Sequence, residues 1–91
     1  EPGRKKLKVT LGIMPDVSGT ENNGLRVEFA SPGKPAQLAG IRKGDRITAI
    51  NGQPVTNVYD YMTRLQTLKP GQTVSVELLR GTEKLVVLVQ L

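Results

Sequence analysis

Apolar and polar residues alternate along most of this chain, and the places where the period changes mark its elements. Leu7-Lys8-Val9-Thr10-Leu11 alternates with period two, the pattern of a half-buried strand. Gly12 interrupts the apolar run Leu11-Gly12-Ile13-Met14, as glycine does where another backbone comes close. Pro15 follows and has no N–H to give a ladder, so the strand after Gly12 lies at an edge or ends there. Residues 18–24 form a polar turn cluster. Leu25-Arg26-Val27-Glu28-Phe29-Ala30 alternates again and predicts a second strand. Pro35 fits the first position of a short helix over 35–39, with Gly40 as its left-handed cap. Residues 45–50 predict a third strand, Asn51-Gly52 a two-residue hairpin turn, and Pro54-Val55 a brief extended piece.

The period then lengthens. Val58, Tyr61, Met62, Leu65 and Leu68 fall on one face of a helix over 58–68. Thr56 or Asn57 caps its start, and Pro70-Gly71 stops it. Two more strands follow, over 74–79 and 85–89, with a turn at Arg80-Gly81-Thr82-Glu83. The order predicts a mainly β fold with two helices (α+β). An antiparallel sheet curls into a partly open barrel or sandwich, closed by one short and one long helix. No segment repeats, so residues 7–91 read as one domain behind a linker or leader over residues 1–6.

Composition narrows the function. Ninety-one residues make one domain with a thin core. No apolar run approaches the ~18 residues of a membrane span, and the polar start does not read as a signal peptide. The chain has neither cysteine nor histidine. Disulfides, thiolate and imidazole metal sites and the commonest general base are therefore excluded. Asp16, Glu21, Glu28, Asp45, Asp60, Glu77 and Glu83 are scattered over different elements, and Asp45 reads as a brace for the turn after Gly44. Ser31 and Lys34 share a tight turn with nothing to desolvate the lysine. No glycine run forms a phosphate loop. The domain itself is expected to carry no catalysis and no cofactor. The net charge is +5, with Arg4, Lys5, Lys6 and Lys8 clustered at the start. Only Phe29, Tyr59 and Tyr61 are aromatic, so no base-stacking platform accompanies the basic residues and nucleic acid is not an expected partner.

Several local patterns together resemble the PDZ family. Leu11-Gly12-Ile13-Met14 is similar to its carboxylate-binding loop. The run over 31–52 resembles its central signature: Pro32-Gly33, Pro35-Ala36, Ala39-Gly40, Gly44-Asp45, two strand residues, then Asn51-Gly52. Thr10 departs from the doubled glycine of the eukaryotic loop. The loop and the ending over 78–84 look like PDZ domains of bacterial envelope proteases. Gly12-Ile13-Met14-Pro15-Asp16 and Val58-Tyr59-Asp60-Tyr61-Met62 look most like the C-terminal PDZ domains of Bacteroidetes-type zinc aminopeptidases. The trypsin-like chaperone-proteases are the other candidate parent.

The resemblance implies a peptide-binding module, periplasmic, envelope-bound or secreted, with any zinc in the parent's catalytic domain. A peptide's C-terminus, or an internal segment, adds as a strand beside the one after the loop. Leu11 and Gly12 shape that loop, and the amides near Gly12, Ile13 and Met14 converge on an anion. Tyr61, Met62 and Leu65 line a pocket for an apolar terminal side chain, Tyr61 with its ring packed and its hydroxyl wet. Ile13, Leu65, Leu68 and Val58 also fit plain core positions, and Met14 and Met62 plain packing ones. The alternative partner is the parent's own catalytic domain, with this module as a docked spacer.

Overall fold

The computed structural model describes residues 11–16 and 24–91. Most of the expected first strand, the turn cluster after Asp16, the linker and the basic cluster lie outside the described residues.

Eight elements follow one another: β1 (Ile13–Pro15), β2 (Leu25–Ala30), α1 (Pro35–Leu38), β3 (Arg46–Ile50), β4 (Gln53–Pro54), α2 (Val58–Gln66), β5 (Thr73–Arg80) and β6 (Glu83–Gln90). The strands form one antiparallel sheet in the order β1-β2-β3-β5-β6, with β4 on β3. Among the described residues the sheet is open, with β1 at one edge and β6 at the other. The expected mainly β architecture with a short and a long helix is therefore found.

Local chemistry explains most of the boundaries. Pro35 starts α1 at a position that needs no N–H. Asn51 (φ 51°) and Gly52 (φ 78°) make the expected hairpin turn, closing Ile50 on Gln53. The Asn51 side chain also accepts from the Ser75 N–H at 3.0 Å, tying the turn to β5. Helix α2 ends two residues earlier than its apolar spacing predicts. Leu68 still packs in the core, held by its N–H bonded to the Leu65 carbonyl at 3.1 Å. The last two strands are longer than expected and pair without a slip from Thr73↔Gln90 to Arg80↔Glu83.

One irregularity overrides the period-two pattern. Met14 pairs with Phe29, but Pro15 pairs with Val27, leaving Glu28 as the extra residue of a bulge. Strict alternation would bury Phe29 beside Leu25 and Val27. The bulge turns it outward instead, and Phe29 is 49% exposed opposite an exposed Met14.

The core is a single cluster beneath the sheet and both helices, including Leu11, Val27, Ile47, Tyr61, Leu65, Val76 and Val89. Among the described residues one charged side chain is also buried. Asp45, 1% exposed, accepts from the Arg42 N–H at 2.9 Å and from the Arg80 guanidinium at 3.0 and 2.9 Å. The same guanidinium bonds the Gly40 carbonyl at 2.8 Å. Asp45 therefore braces its turn as expected, through an arginine that sequence spacing did not single out. Burial pushes the Asp45 carboxyl up, but the bonds from Arg80 and Arg42 outweigh it and hold the group below its ordinary value.

Candidate functional site

The loop before β1 is anchored by its carbonyls. Leu11 is fully buried, and its C=O accepts from the Ala36 N–H at the start of α1 (2.8 Å). The Gly12 C=O accepts from the Ser31 N–H (2.8 Å). Gly12 has φ 76°, and a Cβ there would collide with Cβ and Cγ of Lys34. Glycine at 12 is thus demanded by a left-handed backbone and by the lysine stem lying over it. Lys34 is a loop neighbour that sequence reasoning missed. Its place just before the helix-opening Pro35 was the available signal.

Strand β1 uses its two sides differently. The Gly12 carbonyl and the Asp16 N–H (to the Arg26 C=O, 2.9 Å) both bond toward the β2 side. Backbone polar groups alternate along a strand, so Met14 also faces β2 while Ile13 and Pro15 face away from it. The Ile13 N–H and C=O are therefore directed at the sheet's edge. The Met14 amide, expected to help converge on an anion, is directed into the β1–β2 ladder instead.

Helix α2 packs on the same core as Leu11 and Ile13. Asn57 is its N-cap, accepting from the Asp60 N–H at 2.9 Å. The Asp60 carboxylate reaches back to the Thr56 N–H (3.0 Å) and hydroxyl, and these two bonds lower its pKa. Arg64 donates twice to the Pro54 carbonyl, at 3.1 and 2.9 Å, fastening the helix to β4. Tyr61 then links helix and loop. It is 3% exposed, and its hydroxyl is hydrogen-bonded by the Leu11 backbone. Burial pushes its pKa up to about 12, partly offset by that bond. The expectation of a half-exposed Tyr61 with a wet hydroxyl is corrected: the ring is core, and the hydroxyl finds its partner in the loop.

The structure brings Leu11, Tyr61 and Leu65 into one buried cluster, with Ile13 and Val58 packed against it. Met62 stands 39% exposed on the same helix. Met14 points to the opposite face of β1 from Ile13, beside Phe29. The arrangement is an edge strand with outward main-chain groups, an anchored glycine loop at its start and an apolar helix nearby. Among the described residues no three His, Cys, Asp or Glu side chains converge as metal ligands would.

A family model described as PDZ domain matches residues 9–91. The chain belongs to the PDZ domain family. This PDZ domain is 37% identical over 81 residues to a Rhizobium meliloti (strain 1021) protein named as a probable periplasmic serine endoprotease DegP-like. The match covers 89% of this chain and 15% of that protein, so the chain spans about 15% of that relative's length. Two solved structures share the fold. An aminopeptidase N family protein from Idiomarina loihiensis superposes with a TM-score of 0.85 at 24% identity, over 99% of this chain and 15% of that one. The HtrA3 PDZ domain bound to a phage-derived ligand (FGRWV) superposes with a TM-score of 0.75 at 24% identity, over 89% of this chain and 82% of that one.

Proposed function

We propose that this PDZ domain is a non-catalytic peptide-binding module of a larger bacterial peptidase of the periplasm or cell envelope. It takes an apolar peptide end by strand addition along β1. The observation that carries the reading is the outward N–H and C=O of Ile13 beside the anchored Gly12 loop, with α2 tied to that loop through Tyr61. Gly12 and Ile13 hold the terminal carboxylate, and Lys34 adds positive charge next to it. Leu11 and Leu65 form the pocket floor, Ile13 and Met62 its accessible walls, and Tyr61 supports it from the core. Met14 contributes from the outer face. The ligand of the HtrA3 domain, which ends in an apolar residue, supports this choice of partner. Dissociation constants in the micromolar range, about −8 kcal/mol, fit so small a groove.

The parent is best read as a serine endoprotease, supported by the 37% identical relative. The zinc aminopeptidase parent is supported only by a likeness of fold at 24% identity. Metal content and serine-reagent labelling of the full-length parent separate the two. A second role, docking on the parent's own catalytic domain, is favoured by exposed Leu38, Val86 and Leu88 on α1 and β6. Titration of labelled C-terminal peptides tests the main reading: saturable binding to apolar ends is expected, weakened at least tenfold by C-terminal amidation. Flat titrations across a diverse library, with activity of the parent falling when the module is deleted, point to the docking role instead.

A further inference from the structure

We infer that Pro15 makes this groove a short-register reader, whose main-chain pairing with a ligand ends at the ligand's last residues. The inference rests on the strand-addition reading above. Its own basis is the alternation along β1. The Gly12 carbonyl and Asp16 N–H are both spent toward β2, which assigns positions 13 and 15 to the free edge. Position 13 offers a donor and an acceptor there. Position 15 offers an acceptor only, because proline has no N–H, and the ring carbon stands where the hydrogen would be.

An added antiparallel strand pairs through every second residue. With its terminal residue opposite Ile13, its third residue from the end comes opposite Pro15. The carbonyl of that residue meets the proline ring rather than a donor. The described strand β1 ends at Pro15, and its register shifts at the bulge between Met14 and Pro15. Proline at this point also blunts the edge against pairing with another chain's strand. Pro15 is thus a specificity-determining residue: it keeps only its carbonyl for the third-from-last residue's N–H, confines recognition to the last three residues and leaves the sequence before them unread.

The test uses the purified chain and peptides of three, four and six residues that share an apolar last pair. In the wild type the three dissociation constants agree within about twofold. Replacing the amide after the third-from-last residue by an ester weakens that residue's carbonyl as an acceptor, and it too changes wild-type affinity by less than about twofold. Pro15→Val restores the donor: the six-residue peptide binds about three- to tenfold tighter, the gain of one net hydrogen bond, and the ester now removes that gain. Pro15→Ala serves if the valine variant does not fold. Wild-type affinity that rises tenfold with length, or that the ester destroys, overturns the inference while leaving peptide binding intact. So does a folded Pro15 variant with unchanged affinity for the six-residue peptide. Absence of binding by every peptide to wild type and variants overturns the strand-addition reading itself, and this inference with it.

Discussion

Asp45 shows how much one residue decides here. It sits where the chain enters β3, and its carboxylate joins the Arg42 amide to Arg80 on β5, which in turn holds the Gly40 carbonyl after α1. Removing the carboxylate leaves a buried amide and a guanidinium without their acceptor. Asp45→Ala is expected to cost about 2 kcal/mol by urea unfolding; a change below about 0.5 kcal/mol would show the brace to be idle. The bracing role was legible in Gly44-Asp45, but the partner Arg80 lies 35 residues away, and no local pattern names it. Phe29 and Tyr61 both lie where a local pattern does not put them, for opposite reasons. Phe29 follows the alternation in sequence, and a bulge visible only in the pairing turns it to solvent. Tyr61 carries a polar group that suggested an exposed rim, and the Leu11 backbone satisfies that group inside the core.

Elements were more legible than residues, because their signals are local. Pro35, Asn51-Gly52, the Asn57 cap and the one-sided apolar stripe of α2 each fix a boundary within a few residues. What they cannot supply is adjacency. That α2 fastens to β4 through Arg64 and to the loop through Tyr61 is a tertiary fact, and the proposed peptide site depends on it. The directions of the β1 amides are likewise set by pairing with β2. Family resemblance therefore put forward Gly12, Ile13 and Met62 for a peptide site, while the pairing with β2 directs the Met14 amide into the sheet and the fold lays Lys34 over Gly12.

At the scale of the whole molecule, the described residues carry a simple titration profile. The chain has no histidine and no cysteine. Asp45, Asp60 and Glu77 all have lowered pKa values in the fold, the last through its bond from Lys84. A lowered carboxylate contributes stability above its unfolded value, near 4, and loses it as pH falls through the folded value. Tyr61, raised to about 12, does the reverse: its contribution is complete below pH ~10 and is lost as pH rises toward 12. Thermal midpoints are expected to be level from about pH 5 to 9, to fall below about pH 4 and to fall again above about pH 10. A step between pH 6 and 8 would contradict this inventory.

On the proposed reading this PDZ domain holds a peptide end on the β1 side, and α1 and β6 are left for other contacts. Backbone amide shifts, followed by NMR while an apolar-ended peptide is titrated in, test this most directly. Shifts are expected at Gly12, Ile13 and along Val58–Leu65, with β6 unmoved. Shifts confined to Leu38 and Val86–Leu88, with the Gly12 and Ile13 amides unmoved at saturation, would contradict it.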